Sequence, residues 1–318
     1  MIRKIIRFYA FRCAPAVLFM ITSTIVRAQD PVLPPTNLGS ANVFDGVAGK
    51  PGFVYQGFLQ VFSTKGIYDP QGMKIPSDLR INSVVQISQL IYLSPVKVFD
   101  GNLAFTVLVP VVQIAASGPG AYSPAVNPKA FGDPILGTAV QWSDKKLFGL
   151  PFSHRAEFDI TLPAGNYNTA FEINPSSHLW GYSVYHAFTL MLAKRVSIST
   201  RNQLNLNSDI IGSKVKPGAF YNGNYSVDYA VLPQLRIEAV GYYLKQIQQD
   251  SFQGDHNFYQ DTYRLGSTKE SVFGLGAGLA FFAPHGVLVE AKVFFETSAR
   301  NRVAGTRSTL RVTIPFHK

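Results

Sequence analysis

Glu157 and Asp159 stand two residues apart, a spacing that on a β-strand turns both carboxylates to one face and offers the acid and base of a hydrolase. Arg155 shares that face, so a ladder of ion pairs is the better reading. Gly274-Leu275-Gly276-Ala277-Gly278 resembles part of a phosphate-cradling dinucleotide loop, but the spacing is wrong and no helix follows. It reads as a strand whose small inner face lets a neighbouring side chain or a plug approach. His154, His178, His186, His256, His285 and His317 are scattered without the spacing of metal ligands, so neither metal nor cofactor is expected. A serine hydrolase needs a marked nucleophile, and no such motif occurs. The chain is not expected to be an enzyme.

The elements that must position its side chains are strands. From Ser308 to Phe316 the chain alternates strictly, with Leu310, Val312, Ile314 and Phe316 on one face and Thr309, Arg311, Thr313 and Pro315 on the other. Glycine, proline, aromatic and β-branched residues are spread throughout, and capped windows of helical period are missing. The fold class is all-β. Strands are expected near residues 52–62, 80–93, 102–115, 132–142, 152–162, 182–192, 196–206, 220–231, 235–248, 271–282, 287–297 and 307–316. Connections after the odd strands are long, the last being Ser298 to Thr306, and those after the even strands are short, as with Ser94 to Gly101 and Ser143 to Pro151. An even strand count with alternating long and short connections predicts a transmembrane antiparallel β-barrel of 12 strands over residues 51–318, embedded in outer-membrane lipid.

The front of the chain supplies the compartment. Arg3, Lys4, Arg7 and Arg12 precede an apolar run from Ala14 to Val26, and Val26-Arg27-Ala28 offers small or modest residues before a cleavage site, the pattern of a signal peptide over residues 1–28 cleaved near Ala28. Cleavage would leave 24 cations against 19 acids, so the net charge falls from +10 to +5. No basic cluster interleaved with aromatics remains, and no nucleic-acid partner is expected. The single cysteine, Cys13, falls within the leader. Export and barrel insertion place the protein in a bacterial outer membrane, with Phe316 at the end of the closing strand as the mark read by the insertion machinery. Residues 29–50, holding Pro31, Pro34 and Pro35, are by default a periplasmic tail, with a lumenal plug as the alternative.

Face parity sorts the charges. Arg155, Glu157, Asp159, Arg201, Asp228, Arg236, Glu238, Glu290, Lys292 and Arg311 fall on inner faces as lumen-lining candidates, since a charge turned to hydrocarbon costs about 2–4 kcal/mol. Tyr55, Tyr182, Tyr225, Tyr229 and Tyr243 fall on outer faces as girdle candidates. Between strands, Phe252, Phe258, Tyr259 and Tyr263 crowd one external loop as a candidate capture site for an apolar solute.

Several segments carry a resemblance in their order and spacing: Gly46 to Tyr55, Gly132-Asp133-Pro134-Ile135-Leu136-Gly137, Leu162-Pro163-Ala164-Gly165-Asn166-Tyr167, Tyr221-Asn222-Gly223-Asn224-Tyr225, Val240 to Gln246 leading to Asp250, Phe273-Gly274-Leu275-Gly276, and Asn301-Arg302 with Gly305. Together they resemble the outer-membrane transporter family associated with the meta-pathway of phenol degradation. Ala277 departs from it, where the family often has proline. The resemblance implies a passive channel for small hydrophobic or aromatic compounds. A structural or adhesive barrel is the alternative, and an outer-membrane lipid hydrolase is less favoured.

Overall fold

The computed structural model describes residues 33–40, 43–118 and 123–316; the expected signal peptide with its cleavage site lies outside the described residues. Twelve long strands form one antiparallel sheet in chain order: β1 (Gly52–Tyr68), β2 (Arg80–Val98), β3 (Gly101–Ser117), β4 (Ile135–Leu147), β5 (Leu150–Thr161), β6 (Gly181–Ala193), β7 (Val196–Asn207), β8 (Phe220–Ala230), β9 (Leu235–Gln246), β10 (Ser271–Phe282), β11 (Leu288–Arg300) and β12 (Arg302–Pro315). The sheet closes on itself. β12 pairs with β1 from Val54↔Pro315 to Tyr68↔Arg302, which joins the two edges of the sheet into the closed form a membrane requires. This is the 12-stranded barrel expected from the alternation of polar and apolar residues.

Three expected connections are shorter than their composition suggested. The polar stretch Ser298 to Thr306 is not a long loop: β11 and β12 run on through it and Asn301 alone joins them. Asn301 holds a positive φ of 53°, which asparagine tolerates well, and donates its N–H to the Asp69 carbonyl. At the other end, Ser94 to Gly101 and Ser143 to Pro151 tighten to Phe99–Asp100 and Phe148–Gly149, all four at positive φ as a two-residue hairpin turn demands.

Inside and outside separate by parity. Leu275, Leu279 and Phe281 of β10 stand out from the wall while Val272 and Ala280 are buried within. Gly274 belongs to the inner set because the Tyr242 ring takes its place: a Cβ added there would lie 2.4 Å from the ring. Tyr225 is outward but sits in the middle of β8 and not at a rim, so it is no girdle residue. Its hydroxyl lies 2.6 Å from that of Tyr221, over Gly223.

Candidate functional site

The segment before β1 enters the barrel. Leu33 bonds through its N–H to Glu270 at the long-loop end, and Gly49 lines a cavity with Pro315 and Gly286 at the short-turn end, so the described residues traverse the lumen. The default expectation of a periplasmic tail is therefore corrected for the described part of residues 29–50. Its backbone would be stranded without partners in a closed barrel, and wall side chains serve as the missing strand. The N–H groups of Gly39, Phe44 and Gly46 donate to Asn224 (2.7 Å), Ser199 (3.1 Å) and Thr189 (3.1 Å). The carbonyls of Leu38, Ser40, Val43 and Gly46 accept from Gln60, Lys292, Arg311 and Gln141 at 2.8–3.1 Å. Sequence reasoning places Ser199 on a polar luminal face but misses its plug partner, and it misses Gln60, Gln141, Thr189 and Asn224 altogether. The signal was there in the wholly polar inner face of β7, which has more hydrogen-bonding capacity than its charges use.

Apolar packing completes the seal. Val43 packs with Ala280 and Leu288, joined by Phe44 and Phe282, whose ring centroids are 5.3 Å apart. Leu33 and Leu38 join Tyr242, Leu244, Val272 and Phe294 nearer the long loops.

All ten charged residues assigned to the lumen are on the inner wall, most of them paired. Asp45, the sole charge between Leu33 and Gly49, takes a bidentate bond from Arg201 at 2.6 and 2.7 Å, and Arg155 stands 3.8 Å away. Arg155 also pairs with Glu157 at 3.1 Å, as expected of an ion-pair ladder, and the Tyr185 hydroxyl donates to Glu157. Asp159 is buried beyond them. On β8 and β9 Arg236 pairs with Asp228, and on β11 and β12 Glu290 holds Lys292 at 2.9 Å and Arg311 at 2.8 Å. Glu238 is buried among this second group. With most of these charges paired and the plug bonded to the wall beside them, the plug occupies the polar half of the lumen.

The wall of β2 and β3 is different. Val85, Ile87, Ile91, Leu93, Ala104, Leu108 and Val112 share inner parity with buried Gln89 and Thr106, and form an apolar lane opposite the charged side. At its short-turn end the lane meets a cavity of about 210 Å³ lined by Ile91, Leu93, Ala104 and Ala139, by Val47 to Gly49 of the plug, and by Arg155 and Glu157. Farther out the wall is interrupted. β3 and β4 pair only from Asn102↔Gln141 to Leu108↔Ile135, and Pro110 follows, which has no N–H to give. Beyond Leu108 the long loop substitutes: Gly132 and Ala130 bond with Pro110 and Val112, and Val111 bridges Phe131.

Over the lumen, the aromatics of the capture candidate are brought together, but on one another. A six-residue helix α1 (Phe258–Tyr263) places Phe258 4.5 Å from Phe252, 5.4 Å from Tyr259 and 5.8 Å from Tyr263. Tyr259 is buried, so much of the ring surface is spent within the loop. Asp250 ties this loop to the preceding one, accepting from the Gly218 N–H at 2.7 Å and from Gln246 at 2.5 Å. Burial outweighs these bonds and pushes its carboxyl up to about 7. The folded loop holds this proton more tightly than the open chain does, so its stability falls as pH rises from about 4 to about 7 and is lowest above that. Proteolysis of residues 247–270 is expected to be faster at pH 8 than at pH 5, and Asp250→Asn, which cannot ionise, should lose that dependence. Equal pH dependence in both proteins would rule out Asp250 as the group responsible.

A family model described as "Putative MetA-pathway of phenol degradation" matches residues 64–312. No curated protein matches the chain. Among solved structures, the COG4313 outer membrane channel from Pseudomonas putida F1 is similar at a TM-score of 0.67 and 16% identity, over 90% of this chain and 100% of that one. The β domain of the Bordetella autotransporter BrkA aligns at a TM-score of 0.44 and 10% identity, over 84% of this chain and all of that one. The translocator domain of NalP from Neisseria meningitidis reaches 0.42 at 9%, over 85% and 90%.

Proposed function

From the premise that this chain belongs to the MetA-pathway phenol-degradation family, we propose that it is a passive outer-membrane conduit for small hydrophobic or aromatic compounds, and not an enzyme. The observation that carries this reading is the division of the lumen. Ions and sugars need a hydrated path, and the polar half is occupied by the plug. An apolar solute needs only a lane of matching surface, and β2 and β3 supply one that ends in a cavity large enough for a single ring. Solute dissolved in the membrane would join the lane where β3 parts from β4, since there the wall is held by a loop and a few hydrogen bonds. The long loops then face outward, the short turns face the periplasm, and Phe316 ends the closing strand where the insertion machinery would engage it.

The test is uptake into lipid vesicles carrying the mature protein. Labelled phenol is expected to enter faster than a sugar of similar size. Val111→Cys with Phe131→Cys, partners in the bridge, should form a disulfide across the interrupted wall and slow phenol severalfold until it is reduced. If neither solute enters faster than in empty vesicles and planar bilayers show no conductance, the structural or adhesive reading replaces transport.

A further inference from the structure

The contact between Asp45 and the wall has the form of a ligand in a site. Two arginines on adjacent β-strand pairs, Arg155 of β5 and Arg201 of β7, converge on one carboxylate, with Tyr185 of β6 between them. Arg201 grips both Asp45 oxygens at 2.6 and 2.7 Å in the planar fork that guanidinium and carboxylate share. Its guanidinium lies 4.4 Å from the Tyr185 ring centre and that of Arg155 lies 5.5 Å from it, so the ring backs both cations. Arg155 has Glu157 as a second partner, whereas the carboxylate bonded to Arg201 comes from the plug. Withdrawing the plug would therefore leave a buried arginine wanting an anion.

One of these arginines, Arg155, borders a largely apolar chamber. Arg155 and Glu157 form part of the wall of the 210 Å³ cavity; Gln56, Thr106, Gln141 and Thr313 add polar groups, and Ile91, Leu93, Ala104 and Ala139 supply apolar surface beside the plug residues that follow Asp45. A carboxylate held between the arginines would reach this space with its ring on the Arg155 side. We infer that Arg155 and Arg201, backed by Tyr185, form a carboxylate site that Asp45 occupies in the closed barrel, and that a small aromatic carboxylate is the ligand that exchanges with it. This deepens the reading of the barrel as a conduit for aromatic compounds and rests on it. Exchange of one carboxylate for another leaves the charge balance of the site unchanged, and Asp45 gains water in return for the arginine it gives up. Neutral phenol has no charge with which to compete, so it would use the lane without entering the site.

Calorimetry with benzoate on the full barrel in detergent tests the site directly. Wild type must lose Asp45 before it binds, whereas Asp45→Asn keeps the plug's shape and removes the competing charge. Benzoate is expected to bind Asp45→Asn at least tenfold more tightly than wild type, on the principle that an internal competitor lowers apparent affinity. Asp45→Asn with Arg201→Gln, which removes Asp45 together with the guanidinium that grips it, should bind no benzoate while still showing the altered gel migration of a folded barrel before boiling. Equal benzoate affinity in all three proteins, or none in Asp45→Asn, overturns the site. Phenol uptake in vesicles separates the two ideas. Uptake without benzoate binding removes the site and leaves the conduit, whereas benzoate binding without phenol uptake removes the conduit and leaves an anion site in a closed barrel.

Discussion

Gly46→Val is expected to open the barrel. A Cβ at this position would lie 2.4 Å from the backbone carbon of Phe188 and the backbone nitrogen of Thr189, a distance no side-chain rotation relieves. β6 cannot retreat, because it is paired along its length with β5 on one side and β7 on the other. The plug must move instead. It would lose the bonds from Gly46 N–H to Thr189 and from Gln141 to the Gly46 carbonyl, each worth about 1 kcal/mol net, on top of about 1–3 kcal/mol of overpacking. A shift of about 3 kcal/mol changes the ratio of open to closed barrels by roughly a hundredfold. Single-channel recordings should show long openings in Gly46→Val where wild type is mostly closed, with gel migration before and after boiling confirming an intact barrel. Wild-type conductance in the variant would mean that the segment does not seal the lumen.

The contrast between wall and plug explains what could be read from the chain alone. A strand writes its environment into alternate residues, so Thr309 and Arg311 against Leu310 and Val312 already told lumen from lipid. The inner charges follow from the same parity, which places Arg155 beside Glu157 and puts Arg201 in the lumen without revealing its partner. Asp45 does not follow, because an irregular segment that bonds through its backbone carries no period. Its backbone partners, neutral and charged, come from distant strands, and only closure of the barrel brings Asn224, Ser199, Gln141 and Arg311 to one axis. Asn301 misled for a different reason. Polar composition marks exposure to water, and strands that rise beyond the membrane are exposed and still paired. The helix at Phe258–Tyr263 is six residues long, too short for a 3.6-residue period to show.

Leu275→Arg is expected to be the most damaging single change on the outer face. Leu275 lies near the middle of β10, 58% exposed, between Ala239↔Ala277 and Tyr243↔Phe273 of the β9–β10 ladder, and it faces the hydrocarbon core. An arginine at that depth costs about 2–4 kcal/mol, falling toward 0–1 at the interfaces. Leu279→Arg, nearer the short-turn end on the same face, should therefore cost less, because its side chain can reach the headgroups. Ala280→Arg reverses the direction of the charge. It would point inward at Val43 and Leu288, where no space remains, and so displace the plug while leaving the lipid face intact. Reversible unfolding of the three variants in lipid should rank Leu275→Arg below Leu279→Arg, and conductance should rise chiefly in Ala280→Arg. A register shifted by one residue exchanges every inner side chain for an outer one, so greater unfolding of Ala280→Arg with a sealed lumen in all three would show the faces of β10 to be inverted.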